Sequence, residues 1–339
     1  MPGLAELVRL EDPSFYFSDP YLVIARLHEE APVFYYAPLD MWVLSKYEDI
    51  HLAGRSPLVF SATKGFHLND TRYGMTSTSM FPPDAELITV TPPPRHGELR
   101  KSIAPSFSPR AMSQLEDRIR SVCGQLLDAI PRGEEVDFTD VFAMQVPTTV
   151  IAMLLGMRVE DHEQLRTWSD TMMAMGANSS KEEIAAAAAS LGPMREYFSD
   201  LIEKRLREPA DDVISALVAA WHAGAMSYET VHMMISGLMT AGNETTRNVL
   251  SGGIAALGTH PGEYAKLVAN PALAKTAAEK LLRFTSVVRG FARTVVEDTQ
   301  LRGQRMTAGQ RLFNFYMAAN FDPDVFADPF TLDLGASPT

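Results

Sequence analysis

The chain has 339 residues, 46% of them apolar, with 30 Lys plus Arg against 42 Asp plus Glu, a formal charge of −12 and one cysteine, Cys123. Such an apolar fraction fills a real core and excludes global disorder. One thiol excludes an internal disulfide and a zinc site built on several thiolates, and the acidic balance argues against a general nucleic-acid binder. The opening MPGLAELVRLEDPSF carries acids and lacks an apolar run ending in a small-residue cleavage site. The apolar text VFAMQVPTTVIAMLLGM is broken by Gln145, Pro147 and two threonines. The expectation is a cytoplasmic protein with no signal peptide and no membrane span.

Apolar spacing predicts a helix from Tyr21 to Glu29, then short strands at Val33 to Tyr36 and Met41 to Ser45 around the turn Ala37-Pro38-Leu39-Asp40, then a helix from Tyr47 to Ala53. From Ser61 to Pro94 the text is rich in Gly, Pro, Asn, Asp, Ser and Thr without a sustained period, which predicts a long binding loop. Helices follow at Arg95 to Ile103 and at Pro109 to Ala129, the second capped by Ser108 with Pro109 at its first position. Val141 to Met157 reads as a buried helix with an internal proline. Asp161 to Met175 and Lys181 to Arg207 read as helices around the break at residues 176–180. Met172, Met173 and Met175 suit an adaptable apolar wall.

Ser227 to Leu257 is the longest helical pattern, with Ser227 as cap and Glu229 at its positive end; His260-Pro261-Gly262 terminates it. A helix from Pro271 to Phe284 precedes short strands at Arg293 to Asp298, Gln300 to Leu301, Gln304 to Met306 and Arg311 to Phe315, with Gly303 and Gly309 at turns. The predicted class is mainly α with a minor β part, a single domain over residues 1–339.

The chemistry concentrates in Ala241-Gly242-Asn243-Glu244-Thr245-Thr246, midway along the longest helix. A helix-interior glycine costs about 1 kcal/mol against alanine, and adjacent threonines cost a little more. A carboxylate in an apolar helix must be solvated or paired. Several locally unfavourable choices at one point mark a site. Small residues let a flat ligand approach, a threonine hydroxyl can bond into the preceding turn and hold water, and an adjacent acid can feed protons. These features suit a buried reaction that consumes protons, such as dioxygen activation.

AGNETTRNVLSGGIAAL followed by HPGEYAKLVANP resembles the oxygen-binding helix and its exit in bacterial cytochrome P450 monooxygenases. Three further blocks stand in the family's order. His96-Gly97-Glu98-Leu99-Arg100 resembles the His-x-x-x-Arg helix that holds one haem propionate. Arg293, in GFARTVVEDTQLRGQRMTAGQ, matches the strand arginine that pairs the other. Ala319 to Pro329 resembles the segment before the haem-thiolate loop. The resemblance implies a cytochrome P450 fold, haem b held by His96, Arg100, Ala241, Gly242, Thr245 and Arg293, and catalysis through Thr245, which holds the protonating water, and Glu244, which supplies protons. It also implies a small ferredoxin as electron donor on a basic face, with Arg95, Arg100, Lys101, Arg110 and Arg118 as candidates. Substrate contacts are expected from the loop Ser61 to Pro94, from Met172 and Met173, and from Val287 and Val288. The implied reaction is hydroxylation of a lipophilic substrate, with a sterol or a branched lipid as the narrower expectation.

Two features depart from the pattern. The sequence reaches Gly335-Ala336-Ser337-Pro338-Thr339 without the Phe-Gly-x-Gly cysteine loop, so no residue here is expected to ligate iron, and Cys123 reads as a buried structural thiol in a helix. Where the family carries Glu-x-x-Arg, Lys280 stands three positions before Arg283, and Glu279 is turned about 100° away. Three readings result: a fragment of a haem-thiolate monooxygenase that does not bind haem in the usual way, a haem-free relative acting as an accessory or scaffold protein, or an unrelated α-rich binding protein.

Overall fold

The computed structural model describes residues 2–72, 82–173 and 179–335. Met175, positions 176–178, part of the long loop (residues 73–81) and the last four residues therefore lie outside the described residues. Backbone contacts divide the chain into two compact units, residues 1–79 with 252–339, and residues 80–251.

The first unit opens with two short helices that the sequence did not signal, α1 (Leu4–Leu7) and α2 (Pro13–Phe17), the latter capped by Asp12, which accepts from the Ser14 amide. Helix α3 (Tyr21–Glu30) and strands β1 (Val33–Tyr36) and β2 (Met41–Leu44) follow as expected. The strands pair antiparallel with Val33 opposite Leu44, and a 3-10 turn over Ala37–Leu39 reverses the chain through Asp40, whose φ of 45° is left-handed. Helix α4 (Tyr47–Arg55) and the two-residue strand β3 (Phe60–Ser61) lead into the long loop. That loop is not wholly irregular, since α5 (Leu68–Arg72) lies within it.

The second unit holds α6 (Arg95–Ile103) and α7 (Pro109–Asp128), where the Ser108 hydroxyl accepts from the Ala111 amide at 3.3 Å. The predicted helix with an internal proline is instead a π turn over Thr139–Ala143 running into α8 (Gln145–Leu155). Pro147 falls in the first turn of α8, where a missing N–H costs least. Helix α9 (His162–Met173) follows. The expected single helix from Lys181 to Arg207 is two, α10 (Lys181–Ala189) and α11 (Gly192–Arg207). Pro193 cannot donate back to Ala189, so Gly192-Pro193 starts a new helix. Then comes α12 (Val213–His222), which the sequence reading lacked. The core gathers Leu99 and Ile103 of α6, Leu165 of α9, Phe198 of α11 and Leu217 of α12 against Met239 of the long helix α13 (Tyr228–Thr259). Ser227 caps α13 by accepting from the Thr230 amide at 3.0 Å.

Back in the first unit, Pro261 does not merely end α13. It opens α14 (Pro261–Ala269), and α15 (Ala274–Thr285) follows. Strands β4 (Phe291–Val295), β5 (Thr299–Leu301), β6 (Gln304–Met306) and β7 (Arg311–Asn314) precede α16 (Tyr316–Asn320). One sheet runs β1-β2-β7-β4-β3, with β2 and β7 parallel and its other pairs antiparallel, and β5 and β6 form a separate ribbon. Among the described residues no helix is long and apolar enough to cross a membrane.

Two buried polar groups set the stability behaviour. Lys46 Nζ reaches Asp322 Oδ1 at 2.9 Å and Asp324 Oδ2 at 2.6 Å, and the other Asp322 oxygen accepts from the Tyr47 amide at 2.9 Å. The Asp322 side chain is only 2% exposed. Removing its cation leaves a buried charge, so Lys46→Ala is expected to cost about 3–5 kcal/mol in a urea denaturation. His232 of α13 is 4% exposed. Burial, with Arg195 adding to it and Glu229 opposing, lowers its pKa to about 4. The unfolded chain takes up this proton below its ordinary value near 6.5 while the folded chain resists, so the contribution is whole above that value and is lost as pH falls toward 4. The shift is worth on the order of 3 kcal/mol. Stability measured against pH should decline through this window, and His232→Asn should flatten that part of the slope.

Candidate active site

At 100° per residue, Ala241 and Thr245 share one face of α13, Asn243 points the opposite way and Gly242 lies between. Asn243 is 2% exposed and its side-chain amide meets the Thr148 hydroxyl of α8 at 3.1 Å. A Cβ on Gly242 would stand 2.4 Å from Ile151 Cδ1. Of the two small residues read as making room for a flat ligand, Gly242 therefore makes room for Ile151. Its spacing looks the same in sequence, but its helical angle turns it toward α8. Ala241 is exposed.

Thr245 Oγ1 donates to the Ala241 carbonyl at 2.7 Å, within a helix that stays continuous. The hydroxyl oxygen keeps its acceptor capacity for a water or a proton donor. Glu244 is not a free acid. One oxygen accepts from Asn248 Nδ2 at 2.7 Å and the other pairs with Arg247, which in turn meets Asp170 of α9 at 3.2 Å. The sequence reading missed Asp170, Arg247 and Asn248. The spacing of Glu244 to Arg247 (i, i+3) and to Asn248 (i, i+4) was the signal available.

On α6, Leu99 and Ile103 face the core that Met239 shares. His96 is half-buried, with Nδ1 3.0 Å from the Ile88 carbonyl, which leaves Nε2 for another partner. Arg100 is exposed and makes no ion pair among the described residues. Arg293 lies on β4 in the other unit, half-buried, opposite Leu312 of β7. It donates only to the Ala292 carbonyl beside it, at 2.8 Å, and it too has no acidic partner among the described residues. Of the basic candidates for an electron donor, Arg95 is neutralised by Glu86 and Glu98, whereas Lys101, Arg110 and Arg118 are exposed without ion pairs to described residues.

Met172 is half-buried, with its sulfur 3.3 Å from the hydroxyl of Thr240, the residue before Ala241. Met173 is exposed. Val287 and Val288 line a cavity of about 480 Å³ in the first unit with Ile50, Leu282, Tyr316 and Asn320.

Among the described residues Arg283 has no carboxylate partner. Its Nη1 reaches the carbonyls of Asn320 and Pro329, each at 2.8 Å, and its guanidinium lies 5.7 Å from the Phe321 ring centre and 5.0 Å from that of Phe326. Glu279 is exposed. Cys123 is only half-buried, on a helix with no fully buried residue, so the expectation of a buried thiol is corrected. Burial pushes its thiol up from its ordinary value against the pull of Arg120, the reverse of what a thiolate ligand needs.

The chain is 32% identical over 324 residues to the vitamin D(3) 25-hydroxylase of Pseudonocardia autotrophica, covering 94% of this chain and 78% of that protein. It is 29% identical over 334 residues to the methyl-branched lipid omega-hydroxylase of Mycobacterium tuberculosis, covering 93% and 75%. The solved cytochrome P450 of the Bacillus subtilis bacillaene polyketide synthase superposes with a TM-score of 0.85 at 29% identity, covering 98% of this chain and 83% of that one. No protein-family model matches the chain. The chain belongs to the cytochrome P450 family of haem-dependent monooxygenases, and its mainly α fold with a minor β part is that family's fold.

The residues fit haem b in part. Arg100 and Arg293 are cations without acidic partners among the described residues, which suits a group bearing two carboxylates, and Ala241 is exposed. The only thiol in the sequence, Cys123, does not fit an iron ligand.

The packing role of Gly242 is testable apart from any ligand. Gly242→Ala should cost about 1–3 kcal/mol by overpacking. Ile151→Val in the same chain should recover part of that loss, read as coupling in a double-mutant cycle of denaturant midpoints.

Proposed function

We propose that residues 1–339 are one cytochrome P450 domain of a monooxygenase that hydroxylates a lipophilic substrate, of the sterol or branched-lipid kind, with electrons from a ferredoxin-type donor. The observation that carries this reading is the division of α13 into a packed face, Asn243 and Gly242 against α8, and a less covered face with exposed Ala241 and half-buried Thr245. Haem, when bound, supplies the activation of dioxygen. The chain's own residues do the rest. His96, Arg100 and Arg293 would hold the propionates. Ala241 leaves space beside the helix. Thr245 would accept a hydrogen bond at Oγ1 while its hydroxyl donates to the Ala241 carbonyl. Glu244 is the proton source, and its ion pair with Arg247 must loosen before it can act.

The apolar neighbours Met172, Val287 and Val288 support a lipophilic substrate. The relatives named as hydroxylases of vitamin D(3) and of methyl-branched lipids point the same way. Lys101, Arg110 and Arg118, with Arg100, offer a basic surface for an acidic donor.

A haem-free accessory role is favoured by one observation. Arg283 rests on carbonyls and rings, and the position of the family's acid is taken by Lys280.

Titration of the 339-residue chain with hemin separates the two. The monooxygenase reading expects saturable binding that Arg100→Ala and Arg293→Ala each weaken by roughly tenfold or more, the worth of one charge-assisted contact. The ferrous–CO spectrum should lack a thiolate-type Soret band, because Cys123 is the only thiol. Hemin uptake indifferent to both arginines would overturn the reading and leave the accessory role.

A further inference from the structure

Where the long loop leaves the sheet, its backbone loses strand partners. Strand β3 ends at Ser61, and beyond it the Phe66 carbonyl accepts from the Ala292 amide at 2.7 Å. The chain then turns at Gly65, whose φ is +93° and where a Cβ would fall 2.4 Å from Asp70 Cγ. Asp70 closes the turn by accepting from the Phe66 and His67 amides, both at 2.8 Å. Two carbonyls, those of Lys64 and Gly65, point the other way and find no strand.

They find Arg311 instead. From β7 its Nη1 donates to the Lys64 carbonyl at 3.2 Å and its Nη2 to the Gly65 carbonyl at 3.1 Å. Its Nε donates to Thr71 Oγ1 of α5 at 2.9 Å, and Nη1 also reaches Thr294 Oγ1 of β4 at 2.5 Å. One guanidinium thus bridges the stem at three points, 64, 65 and 71, and anchors to the neighbouring strand at Thr294. Its position is fixed because Arg311 stands opposite Thr294 in the β4–β7 register. Only a planar fork with five donors spans carbonyls and hydroxyls in this pattern; an ammonium has three donors at one point. Burial pushes the guanidinium down from its ordinary value, Asp70 opposes this and Arg293 adds to it. The charge is kept there against a cost.

We propose that Arg311 is a latch, a positioning residue that fixes stem residues 64–71 on the sheet, at the base of the loop expected to contact substrate. The functional weight of the latch rests on the reading of that loop as a substrate wall; the latch itself rests on the contacts above. It lies apart from the haem contacts, since the Arg311 donors are taken by the stem and by Thr294.

Hydrogen exchange on the full chain tests it. In Arg311→Lys, which keeps charge and loses the fork, amides of residues 63–72 should exchange about tenfold faster, the equivalent of one lost charge-assisted bond. The urea midpoint should fall by no more than the equivalent of that one bond, amides of β4 and β7 should speed by no more than this fall accounts for, and trypsin should cleave after Lys64 correspondingly faster. Thr71→Val, which removes one contact and leaves the arginine, should raise exchange over the same residues by a smaller factor. Unchanged exchange of the stem in Arg311→Lys overturns the latch, and so does a loss of protection in β4 and β7 beyond what the urea midpoint accounts for, which would make Arg311 a brace of the sheet. Should Arg311→Lys not fold, Thr71→Val decides alone: faster exchange confined to the stem supports the latch and unchanged exchange overturns it. Hemin binding plays no part in this readout, so its failure and that of the monooxygenase reading are distinguishable.

Discussion

Everything about the site depends on how one helix divides its circumference. The meeting of Asn243 with Thr148, and the fit of Ile151 into the space a side chain at Gly242 would occupy, press one side of α13 onto α8. Two residues away in either direction the helix has turned far enough that Ala241 is exposed and Thr245 half-buried. The helix can therefore expose Ala241 without losing its place in the core, because its anchoring residues and its exposed residue lie at different angles. An uninterrupted apolar helix of this length would bury itself all round and offer nothing.

The cations follow a similar economy of partners. Arg95 is satisfied by Glu86 and Glu98, and Arg283 by backbone carbonyls and two rings, whereas Arg100 and Arg293 have no acid among the described residues. In an acidic protein with 42 carboxylate residues, arginines left without one are the groups most ready to meet an anionic ligand. Glu244 shows the opposite state, an acid already committed to Arg247 and Asn248, so its availability is a matter of exchange between partners.

Much of this was legible in the sequence because the signals were local. Ser108 and Ser227 cap the helices they precede, strand β6 falls where the turns Gly303 and Gly309 place it, and α6 runs from Arg95 to Ile103 as its spacing required. What escaped depended on angle or on distant partners. Pro261 reads as a stop and Pro193 as the interior of one helix, and both are helix starts. Helix α12 carries apolar residues around so much of its surface that no period stands out. Gly242 and Ala241 are equivalent as letters and differ only in the direction they face. The duty of Arg311 toward Lys64 and Gly65, some 246 positions away in the chain, leaves no local trace.

The division of α13 can be probed by single thiols introduced in a Cys123→Ser chain. With Ala241→Cys the account predicts fast reaction with a thiol reagent and marked slowing when hemin is added, and with Asn243→Cys it predicts slow reaction throughout. Equal reactivity at the two positions, or an Ala241→Cys rate that hemin leaves untouched, would contradict it.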